Sequence, residues 1–507
     1  MRYDLSNPGQ LAAAFSPDLI LMGGAMVLLL VAVWRTETTA HDRFVGWLAL
    51  LLCAITAGVV LSMMLSHATA APGMIAVDRF RWVVDLIILL ATAIAIGLAM
   101  DDNRREGMAL GEGYVLVLFA AAGMMLLAAA RDLMLVFLGI EIMSIAVYVL
   151  AGVNRRSARA AEASLKYFLL GAFATGFLLY GIALVYGAAG STNFGTIGAV
   201  YYQGAPVTPM LLVGIGLLIV GFGFKIAAVP FHMWTPDVYD GAPTPFTAFM
   251  ATGVKTAAFA SLIRLWIDAF PASRTAWTGV FWWLAVATML VGNLIALQQK
   301  SLKRMMAYSS IAHAGYLLVA VTVGSLASAS ALVFYMVAYT LATAGAFAVV
   351  VAVTHPGERG QRVSDLEGLW QVRPWLAVAM AVFMLSLLGF PVVGGLGFWA
   401  KWYVLLSAIT AATPQMTLAV MLVLTSVVSA GYYLGVVVAM FMKPRAADAP
   451  AVPVTPFLTR IVIAGAVVVL LLYGVFPAPV VALSRDAAPS PAYLRPPAAP
   501  SPTASLP

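Results

Sequence analysis

Four ionisable side chains stand in stretches otherwise too apolar to hold any. Glu141 follows Phe137-Leu138-Gly139-Ile140, Lys225 follows Gly221-Phe222-Gly223-Phe224, Lys255 follows Gly253-Val254, and Lys401 follows Gly397-Phe398-Trp399-Ala400. A charge at the centre of a bilayer costs about 2.5–3.5 kcal/mol on insertion scales, so four together cost on the order of 10 kcal/mol, comparable with a whole domain's stability. Such a cost points to function. Carboxylates, amines and imidazoles accept and return protons, whereas a guanidinium effectively stays protonated. Lowering a lysine from its usual ~10.4 to near 7 takes about 4–5 kcal/mol, within what burial supplies. The set therefore predicts a proton relay, with a structural ion pair between Glu141 and Lys225 as the competing reading. His313, in Tyr308-Ser309-Ser310-Ile311-Ala312-His313, adds an imidazole that titrates near neutrality and reads as a central relay group. His232, just after Pro230, fits a relay or a helix-end hydrogen bond equally well. Lys166 lies beside a basic loop and reads first as a snorkelling charge, as does Arg264 near the end of its helix. Asp85, four residues after Arg81, predicts a local ion pair.

The surrounding chain must hold these groups inside a membrane. Of 507 residues, 63% are hydrophobic and 10% charged, against about 25% charged in an ordinary soluble domain. Apolar segments long enough to cross some 30 Å as helices begin near Asp18, Phe44, Val77, Gly113, Leu133, Ala163, Pro209, Phe246, Trp277, Leu302, Ser328, Pro374, Pro414 and Phe457. The expected fold is all-α, a polytopic membrane protein of about fourteen helices. Helix 7 is broken through Gly221, Gly223 and Pro230, and helix 12 through Gly389, Pro391, Gly394, Gly395 and Gly397. Each break lies beside a lysine on the fourth helix of a five-helix unit, which predicts two inverted repeats. The expected divisions are residues 1–112 for helices 1–3, 113–270 for helices 4–8, 277–442 for helices 9–13, 443–483 for helix 14, and a disordered Pro/Ala-rich tail over 484–507.

The net charge of +7 does not form a nucleic-acid patch. Lysines and arginines gather in the loops after odd-numbered helices, among them Arg104, Arg105, Arg155, Arg156, Lys300, Lys303 and Arg304. That bias places those loops in the cytoplasm and both termini in the periplasm. Met1 to Ser16 has no basic n-region, so helix 1 reads as retained. The single cysteine, Cys53, excludes an internal disulfide and a cysteine-rich metal or iron–sulfur site, and five histidines are too few to expect a bound haem. Tryptophans such as Trp234, Trp266, Trp277, Trp283 and Trp375 near helix ends read as an interfacial belt.

Three stretches carry a family resemblance: Lys225-Ile226-Ala227-Ala228-Val229-Pro230-Phe231-His232-Met233-Trp234-Thr235-Pro236-Asp237-Val238-Tyr239-Asp240-Gly241-Ala242-Pro243-Thr244-Pro245, Ser301-Leu302-Lys303-Arg304-Met305-Met306-Ala307-Tyr308-Ser309-Ser310, and Gly397-Phe398-Trp399-Ala400-Lys401. They resemble the antiporter-like membrane subunits of respiratory complex I, NADH:quinone oxidoreductase. The Pro-Asp-Val-Tyr-Asp-Gly variant and the lysine at 401 resemble the N type more than its L and M paralogues. The resemblance covers residues 15–480. It implies that Glu141 and Lys225 form a coupling ion pair, that Lys255 and His313 belong to a central hydrophilic axis, that Lys401 stands next to the exit, and that Lys166 joins the input side. It implies proton translocation in a bacterial inner membrane, driven by quinone reduction elsewhere. NADH, FMN, iron–sulfur clusters and quinone would belong to partner subunits, with no cofactor or metal bound here. The implied partners are subunits M, K and J and membrane lipids. Sodium/proton antiporter subunits resemble the same helices, and a structural subunit without a proton path is the other alternative.

Overall fold

The computed structural model describes residues 2–34, 38–70, 73–108, 110–357, 360–447 and 449–489. Fourteen crossings follow one another: helix 1 (Ser16–Val33), helix 2 (Thr39–Leu65), helix 3 (Arg79–Glu106), helix 4 (Gly111–Ala129), helix 5 (Leu133–Ala151), helix 6 (Ala158–Ala189), helix 7 in two parts (Pro209–Ile226 and Trp234–Gly241), helix 8 (Thr244–Ala269), helix 9 (Arg274–Ala296), helix 10 (Leu302–Val323), helix 11 (Leu326–Val353), helix 12 in two parts (Pro374–Leu388 and Leu396–Ile409), helix 13 (Met416–Met442) and helix 14 (Phe457–Val475). Thirteen of these crossings contain a helix long and apolar enough to span a bilayer unaided, and helix 12 does so only as two shorter pieces. Local chemistry sets the ends. Asp78 and Ser301 cap helices 3 and 10 by accepting from the backbone N–H of Arg81 and Arg304, while prolines open helix 7 and helix 12.

Burial sorts the helices into a centre and a rim. Helices 8, 10 and 11 are 94–100% buried over their apolar windows, whereas helices 1, 2, 6, 13 and 14 are only 22–33% buried. Polar side chains on the central three therefore face protein, and the rim presents leucines, valines and phenylalanines outward to lipid. The loops sort by face as well. Arg105, at the end of helix 3, donates to the carbonyls of Val351 and Thr354 at the end of helix 11, and Ser301 at the start of helix 10 donates to Asp240 at the end of helix 7 at 2.6 Å. These contacts gather the lysine- and arginine-rich loops on one face. On the other, Arg131 N–H donates to the Met74 carbonyl, the Arg2–Tyr3 strand pairs with Thr69–Ala70, and Arg79 pairs with Asp486 at 2.9 Å. Both described ends of the chain thus lie on the arginine-poor face.

Four sequence expectations change here. Arg264 does not snorkel: it is fully buried and holds Asp78 through two hydrogen bonds of 2.7 and 2.9 Å, tying helix 8 to the start of helix 3. Trp234, Trp266 and Trp277 are buried too, not interfacial; the indole N–H groups of Trp234 and Trp277 donate to the Phe224 and Phe270 carbonyls freed at helix ends. Lys303 is also fully buried, its ammonium on the Ala242 carbonyl at 2.6 Å. The expected tail does not begin at Ser484, because the helix Ala478–Asp486 carries the chain back onto helix 11, where Ser330 and Ser484 meet at 3.5 Å. Residues 490–507, the rest of that tail, lie outside the described residues.

Asp78 lies just before helix 3. Its burial works to raise the pKa, but the Arg264 guanidinium, with Arg131 beyond it, overrides this and holds the carboxyl well below the usual carboxylate range. A carboxyl depressed on folding stabilises the fold above its unfolded pKa, and that stability is lost as pH falls through the folded value. The Asp78–Arg264 contribution should therefore be intact at neutral pH and vanish only in strong acid. Arg264→Ala, which leaves Asp78 without its partner, should cost about 3 kcal/mol, read as earlier thermal unfolding in detergent at neutral pH. Unchanged unfolding would mean that this pair does not hold helix 8 to helix 3.

Candidate functional site

The site is built around the two interruptions. Helix 7 stops where Ala227 turns left-handed at φ 60°, which frees backbone groups at membrane depth. They are re-satisfied inside the protein: Ala228 N–H donates to the Gly223 carbonyl at 2.8 Å, Val229 N–H to the Thr288 hydroxyl of helix 9 at 2.9 Å, and the Trp234 indole to the Phe224 carbonyl at 3.0 Å. Lys225 is the penultimate residue before this stop. Its ammonium donates to the Ser144 hydroxyl at 2.6 Å and to Tyr148 OH at 3.1 Å, both from helix 5, with the Tyr148 ring 5.2 Å away.

Helix 12 stops at Gly389, whose φ of 76° is a left-handed conformation that glycine adopts without strain. A Cβ there would stand 2.8 Å from Cδ of Lys401. The lysine reaches back across the gap from the second half of the helix, donating to the freed Leu388 carbonyl at 2.8 Å and to Ser426 of helix 13 at 3.2 Å. It lies over the Tyr316 ring at 4.6 Å. A largely apolar cavity of about 370 Å³, bounded by Leu388, Gly389, Phe390, Trp402 and Ser426, ends at Lys401.

Between the two breaks, helix 8 contains one turn of π-helix, Met250–Val254, immediately before Lys255. The extra residue in that turn rotates the side chains beyond it to a new direction. Lys255 hydrogen-bonds both the carbonyl and the hydroxyl of Ser310 on helix 10, and Tyr339 OH donates to the same hydroxyl at 2.9 Å. One turn along helix 10, His313 Nδ1 meets Tyr335 OH at 2.6 Å and Nε2 meets Tyr433 OH at 3.0 Å; Tyr433 also contacts Ser309. Asn293 carries the polar line on, donating to Tyr316 OH at 3.0 Å and accepting from Tyr432 at 2.9 Å. Lys225, Lys255, His313 and Lys401 are each at most 7% exposed. Between Lys225 and Lys255 no direct hydrogen bond runs among the described residues; an aromatic group, Tyr167 stacked on Trp234 at 4.2 Å with Tyr239 beyond it, fills the interval.

Glu141 does not pair with Lys225, the ion pair expected from the sequence. The ammonium is taken by Ser144 and Tyr148, one and two turns further along helix 5, while Glu141 is only half-buried. Lys166 keeps its ammonium at the surface, where it pairs with Asp237 at 2.8 Å and Glu162 at 2.7 Å, and Asp237 pairs in turn with Arg304 at 2.8 Å. His232 lies in the helix 7 gap, half-buried, with Nδ1 lacking a partner among the described residues. The hydroxyl groups of Ser144, Tyr148, Ser310, Tyr339, Tyr335 and Tyr433 went unread in the sequence. Their signal was there: tyrosines deep inside apolar helices, away from the interfacial ends. No group of three or more His, Cys, Asp or Glu suited to a metal occurs among the described residues.

Buried lysines beside two interrupted helices, each held by neutral oxygens inside a many-helix membrane domain, define an antiporter-like membrane protein. The family model described as NADH:quinone oxidoreductase/Mrp antiporter, transmembrane, matches residues 130–429. NADH-quinone oxidoreductase subunit N of Gemmatimonas aurantiaca is 50% identical over 98% of this chain and 97% of that protein, and the subunit N of Trichlorobacter lovleyi is 47% identical over 84% and 87%. A chain of respiratory complex I from Thermus thermophilus superposes with a TM-score of 0.77 at 39% identity, covering 92% of this chain and 99% of that one. A chain of the Mrp complex from Dietzia, at 21% identity and a TM-score of 0.80 over 94% and 97%, shares the fold. The chain belongs to the NADH:quinone oxidoreductase/Mrp antiporter membrane family, within its NADH-quinone oxidoreductase subunit N group.

Gly389→Ala should strain the left-handed turn by about 1–2 kcal/mol and displace Lys401 from the Leu388 carbonyl. Lower thermal stability together with reduced proton transport in the assembled complex is expected. Wild-type values in both would show that Gly389 does not set the lysine's position.

Proposed function

We propose that this chain carries protons across the membrane as the subunit N-type component of an NADH:quinone oxidoreductase, powered by quinone reduction in other subunits. One observation carries the reading: three lysine ammoniums are buried beside helix irregularities, and each is bound by neutral oxygens with no carboxylate partner among the described residues. A carboxylate would lock the charge in place. A hydroxyl or carbonyl holds either protonation state of the amine, and a serine or tyrosine hydroxyl can accept one proton while passing on another. Lys225, Lys255, His313 and Lys401 then form the exchange series, with Tyr339, Ser310 and Tyr433 linking its middle. Lys401 gives the proton up at the cavity by the helix 12 break.

Glu141, half-buried on helix 5, serves the edge where a neighbouring membrane subunit of the K, J or M type would sit. Lys166, tied to Asp237, and His232 in the helix 7 gap serve the input side. Helices 4–8 (113–270) and 9–13 (277–442) act as two inverted repeats, each interrupted on its fourth helix, with helices 1–3 and helix 14 packed around them. The arginine-rich face is cytoplasmic and both termini are periplasmic, in a bacterial inner membrane with lipid around the rim. NADH, FMN, iron–sulfur clusters and quinone act in partner subunits, and this chain supplies protonic groups only.

Lys255→Met tests the reading in the whole complex, reconstituted into vesicles with a pH-sensitive dye. Proton accumulation should fall by about tenfold or more, with the complex still assembled. Lys225→Ala and Glu141→Gln should likewise lower proton-coupled activity without loss of assembly. Full pumping by an assembled Lys255→Met complex would reject the relay.

A further inference from the structure

On the arginine-poor face, away from every group of the relay, Arg81 is shared by two carboxylates. Its Nη2 pairs with Asp18 of helix 1, its Nε lies 3.4 Å from Asp85 one turn along helix 3, and its Nη1 donates to the carbonyls of Ala14 and Ala76 at 3.2 and 3.0 Å. Arg81 and Asp85 are fully buried, and Asp18 is 4% exposed. Among the described residues, the nearby charges do not supply the missing cation. Arg264 is engaged by Asp78 in a two-bond pair, and Arg131 stands against Asp268 at 3.4 Å. Among the described residues the cluster therefore sets three guanidiniums, Arg81, Arg131 and Arg264, against four carboxyls, Asp18, Asp78, Asp85 and Asp268. Neither oxygen of Asp85 makes a hydrogen bond among the described residues, and Asp18 Oδ1 is likewise without one.

An uncompensated charge this far from water is costly, and a carboxyl escapes the cost by binding a proton. Two carboxylates sharing one site hold one proton between them for the same reason. We propose that Asp18, Arg81 and Asp85 form a buried acid site that binds one proton between its two carboxyls at the arginine-poor face of the membrane domain. The exchange involves an O–H bond alone: a proton from water binds one carboxyl oxygen, and its release returns a carboxylate and a hydrated proton. Arg81 keeps its charge throughout and orients both acids. Asp18 lies on helix 1 and Arg81 and Asp85 on helix 3, and neither helix carries a group of the proposed relay.

The test is infrared spectroscopy of the assembled complex with carboxyl-labelled aspartate, comparing the C=O stretch of protonated carboxyls in wild type and variants. Asp85→Asn reproduces the protonated acid in shape and charge, so the complex should assemble and one protonated-carboxyl band should disappear. Asp18→Asn should do the same, because Asp85 then takes the negative charge opposite Arg81. Each variant is read on its own. The Asp18→Asn/Asp85→Asn double variant strands Arg81 and should lose assembly. A carboxyl band unchanged by either single variant, failure of both single variants to assemble, or normal assembly of the double variant overturns the proposal.

Discussion

Inside a layer without water, each buried polar group must find its partner within the protein, and the choice of partner decides what the group can do. Lys225, Lys255 and Lys401 are bound by Ser144 and Tyr148, by Ser310, and by the Leu388 carbonyl with Ser426. All of these are neutral oxygens. The buried arginines take the opposite arrangement, Arg81, Arg131 and Arg264 facing aspartates near the membrane surface. A guanidinium that never releases its proton is useful as a fixed charge, and a carboxylate neutralises it. Residue type and partner type thus separate arginines set against aspartates at one face from lysines held by neutral oxygens through the middle.

The helix irregularities arise from the same constraint. A straight helix satisfies its own backbone and presents no spare carbonyls. Breaking it at Gly389 frees the Leu388 carbonyl, and Lys401 occupies that carbonyl from the other half of the helix. The break and the lysine each answer a cost created by the other. Helix 7 achieves the same end with different partners, because Thr288 and the Trp234 indole take the freed groups and leave Lys225 to reach helix 5. The π-turn before Lys255 is a milder device: the helix continues, and the register change directs the side chain to Ser310 on helix 10.

The centre between the lysines is likewise built of neutral groups that both donate and accept. Tyr339, Tyr335 and Tyr433 each present a hydroxyl able to donate or accept, and they surround His313, whose two ring nitrogens exchange those roles with its tautomer. The burial of helices 8, 10 and 11 keeps this network from lipid, and the rim helices meet the hydrocarbon instead.

The sequence by itself determined the class of the protein, the fourteen crossings, the two broken helices and the lysines beside them. These are consequences of local composition: long apolar runs, glycine and proline inside them, and charges too costly to be accidental. Whether Arg264 reached solvent or Asp78, whether Glu141 or Ser144 met Lys225, and whether Trp266 and Trp277 lay in a belt or in the core were decided only by the tertiary structure. Each depends on which face of a nearly all-apolar helix turns inward, and such a helix carries little amphipathic signal to say so. The shared Arg81 was half visible, because Asp85 lies four residues away on the same helix. Asp18 is 63 residues away, and only the tertiary fold, which brings the start of helix 1 to the start of helix 3, carried the second carboxyl to it.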